Sequence, residues 1–223
     1  MMYLQRLIER IKNIGSSKAS FEKLSTQETI YLYAGDVPLK TEYKKFIGLS
    51  LGKHNRNHIR HNVSNKYPLP DNCVDIYQSE DVFEHIQPSL LPDIINEIHR
   101  ILKPGGIFRL SLPDYGCDLL YNRTQKSETG ELQFDPGGGG DYKDGKVING
   151  GHVWFPKYQL VKDILSRTNF ISTTFYHYYD EQGQGVTKPF DYSIAFVMRT
   201  PDNDARVQNP YRPMSIIVDC IKA

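Results

Sequence analysis

Residues 101–114, Ile-Leu-Lys-Pro-Gly-Gly-Ile-Phe-Arg-Leu-Ser-Leu-Pro-Asp, constrain the fold of this chain more than any other stretch. They read as a helix end, a tight turn and a buried strand. Upstream, over residues 88–102, Leu91, Ile94, Ile95, Ile98 and Leu102 fall on one helical stripe. Pro92 is accommodated because it lies in the first turn, where its missing N–H had no partner. Lys103 suits the negative end of the helix dipole. Pro104 stops the helix, and Gly105-Gly106 permit the turn. Residues 107–112 then form a short, mostly apolar run, as expected of a strand in a sheet covered on both faces. Before the helix, residues 73–79 form a second such strand. Strand, helix, turn and strand make a right-handed βαβ unit when the two strands run parallel.

The pair of segments LPDNCVDIYQSEDVFEHI and EIHRILKPGGIFRLSLPDY resembles the second half of a class I S-adenosylmethionine-dependent methyltransferase, in the small-molecule, methyltransferase type 11-like branch. In that branch a strand ends in an acidic loop reading LEHI, and LKPGG precedes the fifth strand. The resemblance covers residues 29–170 and the C-terminal strand. It implies an α/β fold in a single domain, with a Rossmann-like, seven-stranded, mostly parallel sheet closed by an antiparallel C-terminal strand pair.

The remaining elements follow from pattern. Residues 1–14 carry Leu4, Leu7, Ile8, Ile11 and Ile14 at helical spacing, so residues 1–20 are expected to hold an N-terminal helix and residues 21–223 the domain. That helix either packs on the domain or meets a membrane surface or partner. Strands are expected over 29–34, 45–51 and 57–63. The links between them are shorter than a full crossover helix. One face of the early sheet is therefore expected to be covered by the N-terminal helix or by a second subunit, which makes a homodimer an expected arrangement. Residues 114–151 are polar and glycine-rich, and long for a loop in a compact domain; they suggest a substrate lid or disorder. A helix over 155–168 would turn Leu160, Val161, Ile164 and Leu165 inward. Strands over 170–179 and 214–221 close the sheet, with a long insertion at 180–213 between them.

Composition excludes more than it selects. A net charge of +1 in 223 residues gives no global reason to expect a nucleic acid partner or an acidic membrane. Cys73, Cys117 and Cys220 are odd in number and far apart, which fits reduced thiols in a cytoplasmic protein. No apolar run approaches the length of a transmembrane segment, and the N-terminus is too charged for a signal peptide.

The resemblance assigns the cofactor, S-adenosylmethionine, to three strand ends. Its Gly-x-Gly turn falls on Tyr33 and Gly35, its ribose-binding carboxylate on Ser50, and its adenine-binding aspartate on Asn62, with Val63 and the backbone near Ser79 beside them. The chain departs from the pattern at Tyr33, Ser50 and Asn62. A hydrogen bond to a charged group contributes about 1.5–3 kcal/mol, so Ser50 in place of a carboxylate weakens binding roughly 10- to 150-fold. The amide oxygen of Asn62 still accepts from an adenine amino group. A ring at Tyr33 blocks the cofactor if it points into the cleft and is harmless if it points away.

Methyl transfer is an in-line displacement at a sulfonium, in which the protein positions the acceptor and, for a hydroxyl, removes its proton. The candidate catalytic groups lie at the C-terminal strand ends. Glu80, Asp81, Glu84 and His85 follow the fourth strand, Asp114 follows the fifth, and His152 follows the long loop. Each has a plain structural reading: His85 anchors a helix, and Asp114 is a turn residue. His54, His58 and His61 are spaced for one helical face, but no cysteine or carboxylate completes a tetrahedron, so no metal site is expected. Lys53, Arg56 and Arg60 in the same stretch read as a solvated loop or a phosphate contact. The aromatic run 175–179 reads as packing or as a stacking platform for an acceptor. The function implied is methyl transfer to a small-molecule or sugar acceptor. The alternative is a non-catalytic protein of the same fold, serving as a binding or assembly module.

Overall fold

The computed structural model describes residues 18–223; the expected N-terminal helix lies outside them. An eight-stranded sheet forms the centre. Strands β1 (Tyr31–Ala34), β2 (Ile47–Ser50), β3 (His58–Arg60), β4 (Val74–Glu80) and β5 (Leu102–Pro113) run parallel in the order β3-β2-β1-β4-β5. Two short hairpins follow, β6 (Gln125–Lys126) with β7 (Leu132–Phe134), and β8 (Asp141–Lys143) with β9 (Lys146–Ile148). The sheet then continues beyond β5 with antiparallel β12 (Ser215–Ile221), β10 (Ser172–Tyr179) and β11 (Gly185–Thr187). The mixed α/β class and the antiparallel closing pair agree with the sequence. The strand count is corrected from seven to eight, because the insertion supplies β11 at the edge.

The βαβ unit forms as its periodicity dictates. Helix α1 (Phe21–Leu24) is a single turn. Helix α2 (Leu91–Ile101) buries Leu91, Ile94, Ile95, Ile98 and Ile101 against the sheet, with Pro92 in its first turn. Leu102 already belongs to β5. Lys103 does not cap the helix: its Nζ donates to Asp75 Oδ1 (2.7 Å) and Glu28 O (2.8 Å). The helix has therefore ended before Pro104, which lies within β5, and Gly105 takes φ +77°, a conformation that suits glycine. Two further helices are α3 (Asp118–Arg123) and α4 (Tyr158–Leu165). In α4, Val161, Ile164 and Leu165 are buried as expected, whereas Leu160 is exposed.

The opposite face of the early sheet is covered by the insertion. Ala195, with Ile194, Phe196 and Met198, packs on Tyr33, Tyr43, Phe46 and Ile76. Polar groups of the sheet and of the turn before β2 hold the backbone of this segment in place. Lys45 Nζ donates to Ser193 O and Ile194 O (2.7 Å each), Gln78 Nε2 to Phe196 O (2.5 Å), and Met198 N–H to Glu80 Oε2 (3.0 Å). The segment 114–151 is likewise folded. Beyond its helix and hairpins, it buries Tyr115, Cys117 and Leu120 with Val207 and Met214. Among the described residues no helix is long and apolar enough to cross a membrane.

Candidate active site

The ends of β1 to β4 open into one cleft of about 690 Å³, lined by Gly35, Ser50, Asn62, Val63, Asp81 and His85 among others. Strand order makes the cleft: parallel strands present all their C-terminal ends on one edge. Gly35 takes φ +87°, and a Cβ there would meet Val82 Cγ2 at 3.3 Å. The backbone at this turn therefore lies open to whatever occupies the cleft, because no side chain stands in the way.

Tyr33 does not enter the cleft. Its ring is buried on the other face of the sheet, edge-on to Tyr43 and Phe46 (centroids 5.6 and 6.1 Å apart). Alternation along β1 explains this: Leu32 and Ala34 face the main core, and Tyr33 faces the insertion. Ser50 Oγ accepts from the backbone N–H groups of Gly52 (3.1 Å) and Lys53 (2.8 Å), so it shapes the loop rim. Asp36, which the sequence reading passed over, brings a carboxylate to the same rim, paired with Lys53 at 2.6 Å. Burial, the largest single effect, pushes its pKa up, but hydrogen bonds from Lys53 and Ser50 and the Lys53 charge together outweigh it and hold the carboxyl below its usual range. Asn62 lines the cleft, but its Oδ1 already accepts from Ser64 N–H (3.0 Å), so the oxygen expected to accept from an adenine amino group is engaged in the loop itself. Ser79 is wholly buried and lines no part of the cleft.

Of the sequence candidates for the acceptor side, the structure brings His85 and His152 together and separates Asp114 from them. Both oxygens of Asp114 are taken by backbone amides, Gly116 N–H (2.8 Å) and Tyr179 N–H (2.7 Å). It is a buried turn residue facing a separate, smaller cavity of about 270 Å³. The rings of His85 and His152 lie edge to face, 4.8 Å apart. Glu84 is wholly buried beside them, its Oε1 3.5 Å from His152 Nε2, too far for a well-formed hydrogen bond. Burial pushes the Glu84 carboxyl well above its usual range, helped by the nearby Asp81 charge. Burial, with His85 adding to it, pushes His152 down to about 4. Behind His152 runs a chain that sequence reasoning missed. Tyr115 Oη lies 2.5 Å from His152 Nδ1 and 2.6 Å from Asp135 Oδ2, and Arg123 forks onto Asp135 (2.8 and 2.6 Å). Arg199, from the insertion, pairs with Asp81 at 3.1 Å. These partners are 12 to 118 residues apart in sequence, and no local motif joins them.

Other expectations resolve as structure. His54 bonds Ala19 O (3.2 Å), and His61 bonds Asn65 O (3.3 Å). His58 accepts from Val37 N–H (3.0 Å) through Nε2. The three do not converge. In the aromatic run, Tyr178 stacks on Tyr158 (4.2 Å) and Tyr176 packs on Phe190, so these rings spend their faces on each other.

Residues 43–110 match the family model described as a methyltransferase domain. A probable S-adenosylmethionine-dependent methyltransferase of Mycolicibacterium smegmatis is 36% identical over 62 residues, 28% of this chain and 23% of that protein. A tRNA N(3)-cytidine methyltransferase of Bos taurus is 38% identical over 63 residues, 28% of this chain and 16% of that protein. The chain thus spans less than a quarter of the length of these relatives. In fold it resembles an S-adenosylmethionine-dependent methyltransferase of Thermotoga maritima, with a TM-score of 0.51 and 14% identity over 91% of this chain and 86% of that one. The matched segment runs from the loop before β2 through most of β5; over that stretch the chain is similar to the methyltransferase domain family, and the likeness to the Thermotoga structure shows a shared fold.

Proposed function

We propose that the chain binds S-adenosylmethionine in the 690 Å³ cleft and transfers its methyl group to a small-molecule or sugar acceptor. The observation that carries this reading is the direction of Tyr33. The bulkiest departure from the family pattern lies on the far face of the sheet and leaves the cleft open. The cofactor supplies an electrophilic methyl group; the chain's own residues do the rest. Gly35 gives close backbone approach. Asp36, displaced from Lys53 or sharing its charge, supplies the carboxylate that Ser50 lacks, and a ribose diol is its natural partner. Asn62 and Val63 provide an amide and an apolar wall for a base. His85 and His152 form the polar wall that holds the acceptor. Closure of that wall by Tyr115, Asp135 and Arg199 favours a small acceptor over a polymer.

Calorimetric titration with S-adenosylmethionine and S-adenosylhomocysteine tests the reading. Micromolar binding, abolished in Gly35→Trp, is expected. No heat and no thermal stabilisation at millimolar ligand would retire it, since a ligand that binds only the folded state must stabilise it.

A further inference from the structure

We propose that Glu84, His85 and His152 form a binding site for a divalent, zinc-class cation on the acceptor side of the cleft. One ligand atom from each of the three lies within 4.8 Å of the others. Zinc bonded at 2.0–2.1 Å to nitrogen and oxygen in a tetrahedron needs ligand atoms about 3.3 Å apart. The His152 Nε2 to Glu84 Oε1 edge is already 3.5 Å, and small side-chain movements of His85 close the others.

The hydrogen-bond network behind the site orients His152 as a ligand. Arg123 forks onto both oxygens of Asp135, which therefore accept, so the single Tyr115 proton goes to Asp135. Tyr115 Oη must then accept from His152 Nδ1–H. That fixes the tautomer and leaves a lone pair on Nε2, facing the carboxylate of Glu84. Two acceptors 3.5 Å apart repel unless a proton or a cation lies between them. Metal-binding histidines are typically held this way, with the far ring nitrogen donating to a polar partner.

The surrounding groups select a cation over a shared proton. Both oxygens of wholly buried Glu84 are unpartnered among the described residues, and so are His85 Nδ1 and Asp81 Oδ1. Buried polar atoms are nearly always satisfied. Three of these four atoms belong to the converging residues Glu84 and His85 themselves, and a single proton satisfies at most one pair of them. Two imidazoles and a carboxylate form a donor set that suits zinc and leaves one position open. His85 and Asp81 both line the cleft, so that position faces it. An acceptor oxygen as the occupant of that position rests on the methyltransferase reading; the cation site itself does not.

The test is equilibrium dialysis of the full chain, stripped with chelator, against zinc at neutral pH, with bound metal counted by mass spectrometry. One zinc per chain is expected. Glu84→Gln and His152→Asn should each lose it, and Tyr115→Phe should weaken it about 10- to 100-fold, as loss of a supporting hydrogen bond does. Cobalt in its place should give the visible absorption of a tetrahedral site. Trp154, the single tryptophan, bonds to Phe83 O through Nε1 (3.0 Å) and lies two residues from His152, so its fluorescence should respond. Glu84→Gln is nearly isosteric and neutral, and circular dichroism confirms its fold; Tyr115→Phe, further from the metal, gives the same answer should that variant misfold. No bound zinc, or zinc that persists in both ligand variants, overturns the proposal. Cofactor binding by zinc-free protein that takes up no zinc leaves the methyltransferase reading standing and removes this one. Zinc uptake without cofactor binding does the reverse.

Discussion

Arg109 on β5 and Asp219 on β12 stand directly opposite one another, and the guanidinium forks onto the carboxylate with two bonds of 2.7 Å. Arg109 is wholly buried and Asp219 nearly so. The same guanidinium donates to the carbonyls of Asp191 (2.8 Å) and Ala195, and lies 4.7 Å over the ring of Phe190. The pair is therefore a clamp: two sheet strands grip the insertion by its backbone. Breaking a buried pair by removing one partner costs about 3–5 kcal/mol, because the other charge is left uncompensated. Arg109→Leu should lose that much by denaturant titration. Hydrogen exchange should rise over residues 190–198 before it rises in β4. Uniform acceleration across the sheet would mean that the clamp serves the whole domain rather than the insertion.

Tyr33 should be dispensable for the cofactor and not for the fold. Tyr33→Ala removes a buried ring from the layer that joins sheet and insertion, and should cost about 3–5 kcal/mol. Its cofactor affinity should stay within about twofold of the parent at a temperature where both are folded. A large gain in affinity on truncation would place the ring in the cleft and contradict its position against Tyr43 and Phe46.

Gly35 joins two constraints in one residue. An alanine at φ +87° is strained by about 1–2 kcal/mol, and its Cβ would press on Val82. Gly35→Ala should therefore lower the melting temperature by several degrees and weaken S-adenosylhomocysteine binding at least tenfold in calorimetry. Loss of stability with affinity intact would mean that the turn shapes the fold without touching the ligand.

Much of the parallel half was legible because its signals are local. The stripe Leu91–Ile94–Ile95–Ile98 and the Lys103-Pro104-Gly105-Gly106 break each lie within a few residues. The direction of Tyr33 was readable in principle from strand alternation, but only once the register of β1 is known. The cover over Tyr33 and Phe46 was not readable. It comes from residues 194–198, about 150 positions away, and their pattern carries no strand or helix period. The same limit hid the polar cluster beside the cleft. His85 and His152 were legible singly, but their convergence with Glu84, and the Tyr115–Asp135–Arg123 chain behind His152, depend on how the folded segment 114–151 returns over the sheet edge. Asp114 misled because a carboxylate at a strand end reads the same whether it faces a cleft or caps a turn.

On the proposed reading Asp36 supplies the carboxylate that the family pattern places at Ser50, and that exchange can be reversed. In Ser50→Asp, one carboxylate oxygen keeps the bonds from Gly52 and Lys53 N–H, and the other faces the cleft. Affinity for S-adenosylmethionine should rise about 10-fold or more, within the roughly 150-fold ceiling of a charge-assisted bond. Asp36→Asn should weaken binding in the parent and matter little in the Ser50→Asp background. Additive effects of the two substitutions would show that Asp36 does not stand in for the missing group.

Glu80 sets the pH dependence of the seam between sheet and insertion. It is buried, accepting from Tyr43 Oη (2.5 Å), Gln78 Nε2 (2.9 Å) and Met198 N–H (3.0 Å). Burial pushes its pKa up to about 7, although Tyr43 and Met198 pull the other way. The folded value is above the unfolded one, so the contribution is full below about pH 4.5 and is lost as pH rises through about 7. The loss amounts to about 3 kcal/mol at most. His177 drives the opposite limb: burial lowers it to about 4, and stability present above pH 6.5 is lost as pH falls toward that value. Glu80→Gln isolates the first limb. Its amide oxygen keeps the bond from Tyr43, but one of the remaining bonds is lost, at about 1 kcal/mol. The variant should be less stable than the parent near pH 5, lose less stability as pH rises, and meet or overtake the parent near pH 8. Denaturant midpoints measured across that range give the two curves. Curves that run parallel would mean that Glu80 stays ionised in the folded seam.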